Sequence, residues 1–544
     1  MKRRNFIKLT ASASALAMLP TEVMAMLKNF DVTNCPDNSN KKLVLIQLQG
    51  ANDGLNTIIP INQYDLYSNL RPNIKLNLTG NNAAIALDNN LSIENQVALH
   101  PSLIGFKNLY DSGLMRIIQG VGYPNQDKSH FKSTDLWLTG GDGTPANNNI
   151  GNGWMGRFLE KYYAEFLTAN FPLGLQFGSS DNSLGFHGAE HSGLSMNLNN
   201  QDLNGYFSII NGLGGEAPTN IPQSEYGDLL QYILQNDANT NIYANTITTA
   251  FNNGSNTISY PNTSLSNQLK TVAKLISGGL DTKIYLVRIG GFDTHDSQVV
   301  ENAAHTGTHA NLLLQVSEAV QAFITDLNSQ NLGQNVIGVT FSEFGRKISE
   351  NASFGTDHGE VAPMFLFGSS LNPGVSGTNI NLLEATAANN YQVETVQYDY
   401  RSVFSTILQD WLGSSNQTLN YTFYDQTNNL GFANNKIPFT LLSNQIVTEN
   451  CYSNTLLSTE VFNVKNEVNI YPNPTSDILN IVSFENIDSI KVYSLDGRLI
   501  INKSNQKTSN KMTILLNNFN SGTYIIQIKT ISSLISKKFI VKKY

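Results

Sequence analysis

The sequence predicts an α/β domain built on a largely parallel sheet, followed by a small all-β module. Three observations predict it. Continuously apolar runs recur between residues 42 and 341, each reading as a strand buried on both faces. Segments with helical spacing alternate with these runs, as in strand–helix–strand units. After about residue 467 the pattern becomes polar–apolar alternation of period two with no helical segment between, as in an antiparallel sandwich.

Each element has its own warrant. A polar stretch, "NCPDNSNK", leads into the first strand, "KLVLIQLQG", which is rich in residues that suit a pleated, buried surface. "LMRIIQGVGY" (114–123), "TKIYLVRIGGF" (282–292) and "NVIGVTF" (335–341) are further buried strands. "FKSTDLWLTG" is a helix after the second of these runs. In 309–330, Leu313, Val316, Val320, Phe323 and Leu327 share one helical face, which predicts a helix with one buried stripe. In the tail, "SIKVYSLDGRLII" contains Asp496-Gly497, a hairpin turn signal, and "GTYIIQIKT" and "KKFIVKKY" continue the alternation.

Length and composition set limits. A chain of 544 residues exceeds one ordinary core and implies two or more domains. Charged residues are only 14%, against about 25% in an average soluble protein, so the surface is polar but largely uncharged. A formal net charge of −8 with no basic face excludes a nucleic-acid partner. Two cysteines, Cys35 and Cys451, are too few and too far apart for a cysteine-rich zinc site. In an oxidising compartment they form a disulfide joining the ends of the main domain, or they stand as two structural thiols; the sequence leaves both open.

The first 25 residues, MKRRNFIKLTASASALAMLPTEVMA, resemble a twin-arginine (Tat) export signal, with Arg3-Arg4, a short mildly apolar stretch and a cleavage site at Ala25. The apolar stretch falls short of the roughly 18 residues that span a bilayer, so no membrane span is expected in the mature chain. The expected layout is a signal peptide at 1–25, an α/β domain at 41–436, a linker at 437–466 and a β-sandwich at 467–544.

In open α/β sheets the site lies beyond the carboxyl ends of the strands. There the sequence collects polar residues that strands alone do not need. The first strand ends in Asn52-Asp53-Gly54, and the second runs on to Ser129-His130 before a helix. The run from 282 places Asp293 and His295 two apart, hence on one face of an extended backbone. The run from 335 ends with Glu343 and Arg346, followed by Asp357-His358 between Gly355 and Gly359. Carboxylates and imidazoles converging from several strand ends suit one or two divalent cations; zinc, manganese, calcium and magnesium remain open. His309 is a secondary candidate, His305 an exposed residue, and His100, His187 and His191 are structural or substrate-facing.

"IQLQGANDGLNTIIP", "GWMGRFLE", "GGFDTH", "SEFGR" and "GTDHGE" together resemble a family of Tat-exported bacterial proteins of unknown function placed with the alkaline phosphatase and sulfatase superfamily. The resemblance implies a three-layer α/β/α sandwich. It implies Asp53 as a metal ligand, Ser129 as nucleophile at a helix start, and Asp293 with His295 as a later ligand set. Where the superfamily delivers an Asp-His pair this chain has Glu343-Phe344, so Asp357-His358 is expected to substitute. "YPNP" (471–474), "VYSLDGRLI" and "SGTYII" closely resemble the type A sorting domain of type IX secretion substrates. That implies passage through the Tat translocase and type IX machinery to the cell surface or beyond.

The expected function is a metal-dependent hydrolase of phosphate or sulfate esters. Asp53, Asp293, His295, Glu343, Asp357 and His358 hold the metal, His130 positions Ser129 or a water, and Arg346 neutralises developing charge. The alternative is a non-catalytic surface protein that binds glycan or another exported protein on the same scaffold.

Overall fold

The computed structural model describes residues 40–144, 151–178, 184–191, 193–198, 243–425, 430–431, 436–443 and most of 468–543. The proposed signal peptide and both cysteines lie outside the described residues, as do most of the linker and the Asp496-Gly497 turn. The chain divides into two compact units, Met1–Tyr452 and Ser453–Tyr544.

The first unit is organised by a nine-stranded sheet. Its strands are β1 (Lys42–Leu48), β2 (Met115–Gly122), β3 (Gly174–Gln176), β4 (Ser195–Asn197), β5 (Ile284–Ile289), β6 (Val336–Phe341), β7 (Ala362–Phe367), β8 (Gly374–Ser376) and β9 (Tyr398–Asp399). Their order is β8-β2-β7-β6-β1-β5-β3-β4, with β9 also on β2. β1 runs parallel to both β5 and β6, with Leu45 level with Leu286 and with Val339. β7 is the exception, antiparallel to β6 and β2. The sheet is therefore mixed, and β1, β2, β5 and β6 all present their carboxyl ends on one rim.

Alternation along β1 explains the layers. Val44, Ile46 and Leu48 join one apolar cluster with Phe106 of α1 (Ile104–Asp111), Leu269 of α4 (Ser264–Ser277), and Val316 and Phe323 of α5 (Thr308–Ser329). Leu43 and Leu45 join the opposite cluster with Trp137 of α2 (His130–Thr139), Phe158 of α3 (Trp154–Tyr162) and Phe404 of α6 (Tyr400–Thr406). Each such side chain, fully buried, contributes about 1.5–3 kcal/mol before entropy is counted. Helices on both faces of one sheet make a three-layer sandwich.

A smaller cluster covers part of the rim. Leu55, Ile59, Tyr67 and Leu76, from the segment after β1, pack against Ile348, Val361 and Leu382. Among its described residues the second unit is all β. One sheet holds Val468–Tyr471, Ile478–Ser483 and Lys511–Leu515; the other holds Ile487–Ser494, Leu499–Ser504, Gly522–Thr530 and Leu534–Val541. Leu479, Ile481, Val492, Ile526 and Phe539 close its own core.

Candidate metal centre

Pairing continues past the strand ends and builds the site. Gln49 N–H donates to Ile289 O, and Phe292 N–H donates back to Gln49 O, which draws Gly50 against Asp293. Beyond β6 the chain doubles back. Lys347 N–H donates to Asp357 O and Gly359 N–H to Gly345 O, a short antiparallel ladder centred on Arg346 and His358. The close contact requires glycine at both ends of the pair. A Cβ on Gly355 would sit 2.4 Å from His295 O, and one on Gly359 would sit 2.2 Å from the Arg346 carbonyl carbon. This is why Asp357-His358 is bracketed by glycines.

Three imidazoles and one carboxylate then meet. His130 Nε2 lies 3.0 Å from His358 Nε2, and His295 Nε2 lies 2.8 Å from the same atom. Asp293 Oδ1 lies 3.3 Å from His130 Nε2, 3.2 Å from His295 Nε2 and 3.5 Å from His358 Nε2. His130, Asp293 and His358 each place a donor atom within 4.8 Å of the other two. All four are partly open to solvent, with side-chain exposures between 26% and 49%.

The other ring nitrogens fix the protonation pattern. His130 Nδ1 donates to Glu343 Oε1 at 2.8 Å, His358 Nδ1 to Lys128 O at 2.8 Å, and His295 Nδ1 to Asp357 Oδ1 at 3.3 Å. A carboxylate or a carbonyl only accepts, so in each neutral ring the Nε2 carries a lone pair. Lone pairs at 2.8–3.0 Å from one another repel unless a proton or a cation lies between them. Tetrahedral coordination at about 2.0–2.1 Å gives ligand-to-ligand edges of roughly 3.3–3.4 Å, close to the spacings seen. Imidazoles oriented through Nδ1 by a carboxylate or carbonyl are the usual support of a metal site. The residues fit a cation.

The charges agree. Burial alone would raise the Asp293 carboxyl; the Arg346 hydrogen bond and charge, with His130 and His295, offset this and hold it below its usual range. The Glu343 hydrogen bond raises His130 above the ordinary imidazole value, against the pull of burial. Burial lowers His358, and Arg346 and His130 add to it.

Glu343 and Asp357 stand behind the imidazoles. Glu343 is buried and also accepts the Gly50 N–H at 2.8 Å. Asp357 is held by Asn351 at 3.1 Å and Lys347 at 3.2 Å. Arg346 is spent internally: it donates to the carbonyls of Gly50, Ala51, Phe292 and Thr356 and, at 2.7 Å, to Asp293 Oδ1. Ser129 is the exposed N-cap of α2, its hydroxyl accepting from Lys132 N–H at 3.5 Å.

Asp53 is bound elsewhere. Its Oδ2 accepts from Arg71 Nη1 and from Gln298 Nε2, both at 2.6 Å, and Asp53 and Arg71 are wholly buried. Burial opposes its charge, yet the Arg71 guanidinium still holds the carboxyl below its usual range. Arg71 also donates to Ile348 O, Lys347 O and Asn56 Oδ1. His309 is buried and bonds Asn52 Oδ1 at 3.0 Å. His100 caps a helical turn through Ser102 N–H, and His191 sits 3.5 Å from Glu160, which gathers the loop that also holds His187.

His130, expected only to position Ser129 or a water, is itself one of the meeting imidazoles, and Arg71, Gln298 and Asn351 join the surrounding network unannounced. The Ser-His placement before a helix was the one available signal for His130; no local pattern marks the other three.

Residues 40–437 match the family described as "Protein of unknown function (DUF1501)". The chain belongs to this family. Residues 469–542 match the secretion system C-terminal sorting domain, so the protein is exported to the cell surface or the extracellular space. Among the described residues no helix is long and apolar enough to cross a membrane. No curated protein matches the sequence.

Solved structures with a related arrangement include the lipoteichoic acid synthase LtaP from Listeria monocytogenes, at 11% identity and TM-score 0.30, covering 86% of this chain and 88% of that one. A protein in the alkaline phosphatase superfamily from Vibrio parahaemolyticus aligns at 9% and 0.30, over 92% and 82%. The PsFucS1 sulfatase from Pseudoalteromonas sp. aligns at 10% and 0.30, over 90% and 84%. Likeness this remote carries no reaction with it.

Proposed function

We propose that the α/β domain is a hydrolase of phosphate or sulfate esters that depends on one divalent cation and works outside the cell. One observation carries the reading: three Nε2 lone pairs converge on Asp293 Oδ1 while every Nδ1 is already spoken for. His130, Asp293, His295 and His358 would hold the ion, with Glu343 and Asp357 orienting the rings. An imidazole-rich set favours zinc over calcium or magnesium, which prefer oxygen. Asp53 stands outside this set: it is wholly buried, and its carboxylate does not gather with the imidazoles around Asp293.

When bound, the ion polarises the ester oxygens and lowers the pKa of the attacking hydroxyl or water. Ser129, exposed and next in sequence to His130, offers the hydroxyl. Glu343 fixes the His130 ring while Arg346 fixes Asp293, so neither donor reorganises during the reaction.

A second reading is favoured by Arg346 itself. Its donors are consumed by carbonyls and Asp293, and Lys347 pairs with Asp357, so neither cation is left unengaged to meet a leaving group. On that reading the domain binds through its ion without turnover.

Elemental analysis of the purified chain, with hydrolysis of aryl phosphates and sulfates by wild type, Ser129→Ala and His358→Ala, separates the cases. The hydrolase reading expects about one equivalent of metal, lost in His358→Ala together with activity. Metal without turnover on any ester supports the binding reading. A wild type that takes up no metal sinks both.

A further inference from the structure

We infer that a polar cavity beside the 351–358 loop is a saccharide-binding site. The cavity, about 240 Å³ and open to solvent on one side, is lined by the segment after Arg71, the segment around Asn302 and Phe354. Asn77, Asn81, Asn82 and Asn302 line it, all four exposed, so their carboxamides face solvent rather than other described residues. Each carboxamide carries a donor and an acceptor on one plane, the pattern that meets adjacent hydroxyls of a sugar ring.

Charge does not select an ion here. Lys75 and Glu301 offset one another, and a single carboxylate is too little for a divalent cation. Phe354, half-buried, also lines the cavity and would give the C–H side of a pyranose part of the small apolar contact available there. Its backbone is left-handed, φ 55°, a conformation that costs a bulky residue about 1–2 kcal/mol. It is held there by Gln298 N–H, which donates to Phe354 O at 3.0 Å. Asn82 and Asn302 are also left-handed, at φ 59° and 61°, a conformation asparagine adopts readily in turns.

Position links the cavity to the cation cluster. Phe354 precedes Asp357 by three residues, so the two lie within about 11 Å, three residues at roughly 3.6 Å each. A sugar seated against Phe354 would bring an ester on a neighbouring ring towards His358. Only this last step rests on the hydrolase reading; the sugar contact does not.

The test uses the full chain, stripped of metal with a chelator, and unsulfated tetrasaccharides of glucan, xylan, mannan and galactan type. Saturation-transfer NMR is expected to show ring-proton contact for at least one of them. His358→Ala should bind equally, whereas Asn82→Gly/Asn302→Gly, which keeps the backbone freedom and removes two carboxamides, should weaken binding at least tenfold. Phe354→Gly should lose binding with an unchanged or higher unfolding temperature, which separates ring contact from misfolding. No transfer to any saccharide, or equal binding by the asparagine and phenylalanine variants, overturns the site. Binding that survives in a protein found to take no metal upholds it while the hydrolase reading fails.

Discussion

Asp53 and Asp293 follow neighbouring parallel strands on the same rim, yet their surroundings are opposite. Asp53 is sealed, and its countercharge is a protein side chain, Arg71 at 2.6 Å. Asp293 also meets a buried guanidinium, Arg346 at 2.7 Å, but it is about half exposed and its same oxygen faces three imidazoles whose lone pairs ask for a cation from solution. Each carboxylate has an internal guanidinium; the one sealed with it serves cohesion, and the one left open toward imidazoles serves binding. The first should be costly to disturb in any medium, the second only when an ion is at stake.

The largest effect expected is from Arg71→Met. It leaves Asp53 buried without its partner, and breaking such a pair costs about 3–5 kcal/mol. Denaturant unfolding should show it, and Asp53→Asn added to Arg71→Met should restore part of the loss. Equal stability of Arg71→Met and wild type would break the comparison.

Next come the supports of the open cluster. Glu343→Gln and Asp357→Asn should each weaken metal affinity about 10–100-fold, as read by competition with a chromogenic chelator. Unaltered affinity in both would detach these carboxylates from the site.

Acid sharpens the contrast through two buried imidazoles. Burial lowers His100 to about 3 and His309 to about 4. Their folded values lie below the ordinary value near 6.5, so the unfolded chain takes up protons first and stability falls as pH drops below about 6.5. At pH 5 each costs about 2 kcal/mol, from 1.36 kcal/mol per pH unit. Thermal unfolding of chelated protein at pH 7 and pH 5 should show this, and His309→Gln should flatten the difference.

The smallest effect should be Asp293→Asn in chelated protein, about 1 kcal/mol, because the carboxylate is half open to solvent and the Arg346 guanidinium keeps its four backbone carbonyl partners. A loss as large as that of Arg71→Met would mean the two carboxylates do the same job.

The sheet was legible because β1, β5 and β6 are predominantly apolar runs broken only by single polar residues such as Gln47 and Arg288, and the α5 stripe at 313–327 is regular. The direction of β7 was not, since an apolar run such as "APMFLF" carries no sign of which way it points. Asp293 and His295 do face one another, as period-two spacing suggested. The orientation of His130 depends on Glu343, 213 residues away, and the partner of Asp53 arrives on a segment whose path is set by packing against Ile348 and Val361. Such relations are tertiary and leave no trace in local composition.

His130 and His358 stand 228 positions apart and touch through their Nε2 atoms. An ion gripped there would clasp together chain segments made far apart in time, so it could be captured only once the domain was nearly whole. Its release would loosen distant parts at once, and ambient metal would then set the unfolding temperature by mass action.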